Sequence, residues 1–568
     1  MALLEFKNLN FRYAGSDRDV LAGINLSIDD GEIVLIAGAS GSGKTTLLKH
    51  MISSMTPCGQ RTGEMNIADG LFAGYVGQNP DDQIVTDKVW HELAFGLENM
   101  GLPSDEIRRR SAETASYFGI SGWYHRETGK LSGGQKQILN LAAVMAMKPD
   151  VLVLDEPTSQ LDPIAAEHFL DTVFKLNREL GITVVMSEHY TEHIFAGADK
   201  VVMMCEGKIV QAGTPKNVAE RLWNGESSLW LPAAAQIALN MYSDREPQFI
   251  PFTIRDGRRW IKEWIKGRLV DKETEVSEGN TNNGGNEGSS CGVVSSSVSN
   301  GSIGGRKNMP EVTAFPTVVV KNVIFRYSRY DENVLENLSF EAYRGEILAL
   351  LGGNGSGKTT LLKLIAGVRK CVGGSIKCTG RTALLAQNPI AMFTEISVEE
   401  ELAEIMTDKS NTWAKALSRE EKLAKIDEML DYMGLQNVRT NNPLDISGGQ
   451  QQKLALAKAL LLKPDILMLD EPTKGIDPIF KKELGALLGK LAADGKTIIL
   501  VSHDLEFCGE YSNRCGLLFD GQLVSLSDTK QFFTGNSYYT TMAGRLTEGI
   551  LEGCVTCYDV VDKLKRTV

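Results

Sequence analysis

Residues 38–49 read GASGSGKTTLLK, and residues 352–363 read GGNGSGKTTLLK. Each fits G-x-x-x-x-G-K-[ST], follows a short apolar run (EIVLIA, then EILALL) and opens a helical one. In a strand–loop–helix setting the glycines let successive backbone N–H groups turn inward on phosphate oxygens. The helix N-terminus behind them adds a favourable dipole. The pattern assigns phosphate binding to Gly38, Ser40, Gly41, Ser42, Gly43, Lys44, Thr45 and Thr46. Their counterparts are Gly352, Asn354, Gly355, Ser356, Gly357, Lys358, Thr359 and Thr360. Lys44 and Lys358 would neutralise the β- and γ-phosphates of ATP, and Thr45 and Thr359 would offer hydroxyls to Mg²⁺.

Outward from these loops the chain repeats itself. NLNFRY (8–13) returns as NVIFRY (322–327), so Tyr13 and Tyr327 differ by 314 positions, as do Lys44 and Lys358. LSGGQKQ returns as ISGGQQQ, VLVLDEPTSQLDP as ILMLDEPTKGIDP, and VVMSEH as ILVSHD, in the same order. The 568 residues are two copies of one unit rather than a short-period solenoid. Between them lies KETEVSEGNTNNGGNEGSSCGVVSSSVSNGSIGGRKN, too poor in apolar residues to fold. As a flexible tether of about 40 residues it would span roughly 35 Å and favour pairing of one copy with the other.

In each copy four apolar residues run into Asp-Glu, at Asp155-Glu156 and Asp470-Glu471. Such a run reads as a buried parallel strand whose C-terminal edge faces the ligand. The Asp would hold Mg²⁺ through water, and the Glu would orient or deprotonate an attacking water.

LSGGQ (131–135) and ISGGQ (446–450), ahead of those strands, resemble the ABC signature sequence. The resemblance covers both copies and implies an α/β fold. Two P-loop ABC nucleotide-binding domains are expected, each a mixed-sheet RecA-like core with a helical subdomain, joined by the flexible linker. The boundaries are 1–230 for the first domain, 231–271 for its helical extension, 272–311 for the linker, 312–535 for the second domain and 536–568 for a helical tail. The resemblance further implies head-to-tail pairing, with each ATP on one copy's phosphate loop and under the other's signature. Ser132, Gly133, Gly134 and Gln135 would then serve one site, and Ser447, Gly448, Gly449 and Gln450 the other. By the same token Tyr13 and Tyr327 would stack on adenine, and Gln78 and Gln387 would sense the γ-phosphate and Mg²⁺. Asp162 and Asp477 would link the sites, and His189 and His503 would contact the γ-phosphate. No substitution marks either site as degenerate, so two working sites are expected.

What the ATPase moves is read from the stretch after each Gln. QNPDDQIVTDKVWHELAFGLENMG in copy one, and more loosely QNPIAMFTEISVEEELAEIM in copy two, resemble the ATPases of energy-coupling factor (ECF) transporters, importers of vitamins and transition-metal ions. There this stretch grips arginine-bearing coupling helices of a separate membrane subunit. Asp81 and Asp82 would suit such an arginine. Copy two offers Ile390, Ala391, Met392 and Phe393, with no carboxylate until Glu395, so one asymmetric partner is expected. The segments LWLPAAAQIALNM, PFTIRDGRRWIKEWI and YYTTMAGRLTEGILEGCVTCYDVVDKL resemble the extensions of these ATPases, the last one the tail of fused two-ATPase members. The implied partners are an integral membrane coupling subunit and a membrane substrate-binding subunit, with this chain peripheral on the cytoplasmic face.

Composition agrees. No apolar run approaches the roughly 20 residues of a membrane span, and MALLEFKNLNFRY lacks the features of a secretion signal. A net charge of −12 argues against a protein that coats nucleic acid. It also argues against the alternative of a translation-associated tandem ABC protein, whose linker is usually a highly charged helix. The sugar-import type of tandem ATPase is a further alternative, with less equivalent halves. Nine scattered cysteines fit reduced thiols, and the lone pair Cys554/Cys557 lacks the further ligands of a structural zinc site, leaving a C-terminal helix as the expectation.

Overall fold

The computed structural model describes residues 2–16, 18–68, 70–223, 225–242, 249–278, 315–408, 411 and 413–567. Each copy is built on a six-stranded sheet. In copy one its order is Ala73–Val76, Val151–Asp155, Thr183–Ser187, Ile33–Gly38, Lys200–Cys205, Lys208–Gly213. All neighbours are parallel except the last pair, which is an antiparallel hairpin. In copy two the same order runs Thr382–Leu385, Ile466–Asp470, Thr497–Val501, Ile347–Leu351, Arg514–Phe519, Gln522–Asp528. The central strands are buried along their whole length, which is why they read as unbroken apolar runs rather than alternating ones.

Alternation reappears in what each residue touches. Ile33, Leu35 and Ala37 enter a core shared with Leu141, Phe169 and Val173 of the helical layer. Val34 and Ile36 enter the opposite core, with Leu47 and Leu48 of the phosphate-loop helix and Leu4 and Phe6 of a three-stranded antiparallel sheet. Ile347, Ala349 and Leu351 against Leu348 and Leu350 repeat the division in copy two. The two-residue period of a strand thus divides one sequence run between two layers. Helices Val89–Asn99, Ser104–Tyr117 and Gly133–Ala146 form the expected helical subdomain of copy one around Leu93, Ala115 and Leu139.

The C-terminal segments of the two copies meet. Helices Ala233–Met241 and Ile254–Glu278 of copy one share an apolar cluster with Met542–Thr547 and Cys557–Arg566 of copy two. Ala234, Trp260 and Ile261 pack in it beside Met542, Leu546 and Val560. Arg258 closes its edge, donating from Nη1 to the Arg545 carbonyl at 2.7 Å and from Nη2 to that of Glu548 at 2.8 Å. Cys557 opens the last helix and, like buried Cys554, is a free thiol.

One boundary moves. The helix Ile254–Glu278 runs past residue 271, where the helical extension was expected to end. Residues 271–278 read DKETEVSE, rich in Lys and Glu that sit well in helices, and the Gly/Asn composition starts only at Gly279. Residues 279–311 of the expected linker lie outside the described residues.

Candidate active sites between the copies

Both phosphate loops are shaped by glycines that tolerate no side chain. Gly43 has φ of 98°, and a Cβ on it would stand 2.8 Å from the Val20 carbonyl oxygen. Gly357 has φ of 97°, and its Cβ would stand 2.9 Å from that of Val334. Left-handed backbone there starts the helices Lys44–His50 and Lys358–Ile365 with their N–H groups facing the loop. Lys44 Nζ donates to the carbonyls of Gly38 (2.8 Å) and Ala39 (3.2 Å), and Lys358 Nζ to those of Gly352 and Gly353 (both 2.9 Å). Burial pulls both ammonium groups below their ordinary range. The hydroxyls of Ser42 and Ser356 are buried without a partner, so each loop holds polar groups suited to an anion.

Beside each loop stand oxygen donors. Thr45 Oγ1 donates to Asp155 Oδ1 at 3.1 Å, and Thr359 Oγ1 to Asp470 Oδ1 at 3.1 Å. Asp155 also accepts from Ser187 Oγ (2.8 Å) and Tyr75 OH (3.2 Å). Burial raises both aspartates above the usual carboxylate range. Hydroxyl and carboxylate oxygens with water at hand are the donors Mg²⁺ prefers, so these residues fit that ion. Among the described residues no group of three or more His, Cys, Asp or Glu could by itself hold a metal ion.

The next residues, Glu156 and Glu471, have φ of 46° and 51°, a region non-glycine residues seldom occupy. The Glu156 N–H is held by the Ser187 carbonyl (3.1 Å) and Oγ (3.0 Å), and that of Glu471 by the Val501 carbonyl (2.8 Å). These bonds fix a strained backbone and thereby the direction of each carboxylate.

The two glutamates then differ. Glu156 is engaged on both oxygens: Oε1 lies 2.7 Å from His189 Nε2 and 3.6 Å from Lys44 Nζ, while Oε2 accepts from Gln78 Nε2 at 3.0 Å. Burial works to raise it, but His189 and Lys44 prevail and leave it below its ordinary value. Glu471 Oε1 is buried with no hydrogen-bond partner, and burial pushes the group up to about 7. His503 lies 3.3 Å away but is itself pushed down to about 4 by burial and Lys358, so at neutral pH it is uncharged and makes no ion pair. His503 Nε2 instead lies 3.2 Å from Asn354 Oδ1.

Across the interface the arrangement is head to tail. Asp477 Oδ2 accepts from the Ser40 N–H at 2.9 Å while its Oδ1 caps helix Pro478–Ala493 through Phe480 N at 2.9 Å. Asp162 repeats this, receiving Asn354 Nδ2 at 2.7 Å and capping Pro163–Leu180 through Ala165 N at 2.9 Å. Ser132 with Gln135, and Ser447 with Gln450, form capping boxes at the signature helices, and their glycines occupy the first turn. A Cβ on Gly449 would stand 3.9 Å from Ser40, so signature two reaches phosphate loop one. Among the described residues, no copy-two atom comes within 4 Å of the same position on Gly133 or Gly134. Site two instead keeps a cavity of about 570 Å³ between Thr158–Asp162 of copy one and Asn354–Thr360, Gln387, Glu471 and His503 of copy two. Tyr13 and Tyr327 lie exposed beside the loops, their hydroxyls 3.1 Å from Thr46 Oγ1 and 2.8 Å from Thr360 Oγ1.

Several partners escaped the motif reading. Tyr75 on Asp155 lies outside the quoted motifs. Ser187 on Asp155 lies within VVMSEH, as does Glu188, whose Oε1 accepts from Thr158 N (2.9 Å) and Oγ1 (2.6 Å) and which sits where copy two has Ser502, but the motif gave neither a role. Comparing the two copies position by position would have marked Glu188 as a difference.

The geometry is that of paired ATP-hydrolysing cassettes, and comparisons with known proteins agree. The ABC transporter family profile matches residues 21–159 and 335–474. A protein of Bacillus thuringiensis subsp. konkukian, provisionally named as an ABC transporter ATP-binding protein, is 37% identical over 99% of this chain and 98% of its own. A similarly named protein of Streptomyces coelicolor is 32% identical over 92% of this chain and 93% of its own. Among solved structures, the archaeal ribosome recycling factor aABCE1, in complex with the ribosomal stalk protein aP1, has a TM-score of 0.55 at 20% identity. The match covers 92% of this chain and 90% of that one. This last likeness concerns the fold alone. The chain belongs to the ABC transporter ATP-binding protein family and is an ATPase with two tandem ABC domains.

Proposed function

We propose that this ATPase is the motor of an importer of the energy-coupling factor type, coupling ATP binding and hydrolysis to uptake of a vitamin or metal ion. It would dock peripherally on the cytoplasmic face of an integral coupling subunit, beside a membrane subunit that binds the cargo. Among the described residues no helix is long and apolar enough to cross a membrane.

The chemistry at each site follows from its residues. Lys44 and Lys358 would leave the loop carbonyls for the β- and γ-phosphates, with the loop N–H groups holding the remaining oxygens. Mg²⁺, when bound near Thr45, Asp155 and Gln78 or Thr359, Asp470 and Gln387, supplies positive charge to the phosphates. Glu156 and Glu471 would orient the attacking water and accept its proton, and His189 and His503 would face the γ-phosphate. The tyrosines Tyr13 and Tyr327 would stack on adenine. Closure of site two would carry Ser132 and Gly134 onto its nucleotide, matching Ser447 and Gly449 at site one.

The observation that carries the transport reading is the pair of unlike faces after Gln78 and Gln387. In copy one the turn Pro80–Asp82 is fastened to the signature helix: Lys136 pairs with Asp81, Asn140 Nδ2 donates to the Pro80 carbonyl at 3.0 Å and Gln137 Nε2 to that of Gly77 at 3.1 Å. A shift of the signature helix would therefore move this turn. Asp81, paired with Lys136, and Asp82 are both exposed, and Val85 and Trp90 are exposed further along the same stretch. Copy two exposes Ile390 and Ile396, while Met392 and Phe393 pack against its core. An acidic face beside an apolar one suits a single asymmetric partner.

The test is to purify the full chain from gently solubilised membranes and identify what accompanies it. A stoichiometric integral membrane protein that is lost on Asp82→Lys supports the reading. Ribosomal subunits with no membrane protein would leave the ATPase standing and remove the transporter.

A further inference from the structure

Each histidine at a nucleotide site is followed three residues later by a glutamate, His189 by Glu192 and His503 by Glu506, and both pairs keep the 314-residue offset of the duplication. The two glutamates do the same thing in their own copies. Glu192 Oε2 accepts a hydrogen bond from the Ala233 N–H at 2.8 Å, and Glu506 Oε1 accepts one from the Met542 N–H at 2.5 Å. Ala233 and Met542 are the first residues of helices Ala233–Met241 and Met542–Thr547. A helix start leaves N–H groups without partners. Pro232, ahead of Ala233, has no side-chain acceptor to give, so the distant glutamate takes that place. These are the helices through which the copies grip each other in the C-terminal cluster.

A second tie runs in parallel in copy one. Thr191 Oγ1 donates to the Trp230 carbonyl at 2.6 Å, and the Trp230 ring lies 6.1 Å from that of His189. A cavity of about 410 Å³ lies beside these ties, bordered by both glutamates, His189, Gln236, Lys481 and Cys557.

We propose that Glu192 and Glu506 are positioning residues that couple each nucleotide-facing histidine to the C-terminal helix cluster, so that the grip between the copies follows the nucleotide state of the two sites. When a histidine segment moves toward a γ-phosphate, the glutamate three residues on, in a turn for Glu192 and in the first turn of helix Leu505–Tyr511 for Glu506, draws the start of its partner helix with it. Crowding by protein atoms pushes Glu192 up to about 7 and Glu506 up to about 8, so both are substantially protonated near neutral pH. A carboxyl oxygen accepts the N–H in either form, and glutamine mimics the protonated one. The inference rests on the ATPase sites and is independent of any membrane partner.

Hydrogen–deuterium exchange on the full chain tests it, in a Glu156→Gln/Glu471→Gln background that retains ATP. With Mg-ATP, peptides covering 233–241 and 542–547 should slow by about tenfold. Glu192→Ala should abolish the response of 233–241 alone, and Glu506→Ala that of 542–547 alone, while the Gln variants keep both. With the catalytic glutamates restored, the Ala variants should lower kcat severalfold with KM nearly unchanged, and the Gln variants should recover it. Protection of 38–49 and 352–363 by ATP verifies that each variant is folded and loaded. Two results would overturn the proposal: no ATP response of the helices in the parent, or Ala variants that respond as the parent does. If an Ala variant does not load, the Gln variants decide: loss of the helix response in a loaded Gln variant also overturns it.

Discussion

Substituting one catalytic carboxylate at a time isolates the two sites and exposes their difference. Glu156→Gln leaves turnover to Glu471, whose free Oε1 and burial place its titration at about 7. A general base acts only when ionised, and kcat/KM reports the free enzyme. With a value near 7 the ionised fraction rises from about 9% at pH 6 to about 91% at pH 8, so kcat/KM should rise about tenfold. Glu471→Gln leaves Glu156, held below its ordinary value by His189 and Lys44. That variant should be flat over the same range, because its base is ionised throughout. Steady-state phosphate release measured from pH 6 to 8 at several ATP concentrations gives both profiles. A flat profile for Glu156→Gln would refute the assignment of a proton-holding Glu471, bonded at Oε2 by the His503 N–H and bare at Oε1, to site two. A stability effect of the opposite sense accompanies it. The folded chain holds the Glu471 proton more tightly than the unfolded one does, so this contribution is full below the unfolded value near 4.5 and lost as pH rises through about 7.

Three further outcomes follow from single contacts. Asp477→Ala removes a helix cap and the bond to Ser40 together and should cost about 1–2 kcal/mol in thermal or urea unfolding. Asp477 is burdened by burial, but N–H donors from Phe480 and Ser40 hold it below its ordinary value. The difference from the parent should therefore be present above about pH 4 and shrink as pH falls through the folded value. Gly43→Ala, forced into a left-handed conformation 2.8 Å from a carbonyl oxygen, should abolish nucleotide binding at site one by equilibrium dialysis and leave one ATP per chain. Trp260→Ala empties the inter-copy cluster at a cost of about 3–5 kcal/mol. It should speed amide exchange in 542–547 and 557–566, peptides of the other copy, and unchanged exchange there would show that the cluster does not join the copies.

The duplication and the α/β class were legible in the chain itself, as were the motifs from which the site residues are proposed, because these features are written in neighbouring residues. A phosphate loop is a contiguous pattern of glycines, and a buried parallel strand is a contiguous apolar run ending in Asp-Glu. The expectation of two equivalent sites was also read from the motifs alone. Whether the sites are equally assembled depends on contacts such as Asp477 to Ser40 and Asp162 to Asn354, between residues 437 and 192 positions apart. No local pattern encodes those distances. The pairing of Lys136 with Asp81 is of the same kind, since a turn and a helix meet only after the subdomain folds.

Glu192 and Glu506 stand between the two cases. Their recurrence three residues after each histidine is visible once the copies are aligned, yet a lone glutamate outside a motif ordinarily signifies a solvated surface. Only the packed chain shows each accepting a bond from the start of a helix some 40 residues away. Sequence by itself determined which chemistry this protein can perform, since that depends on residue types at short, fixed spacing. Tertiary structure decided which carboxylate is already paired, which site is drawn tight and what the histidines are tied to. Those properties depend on burial and on partners that come together only across the folded interface.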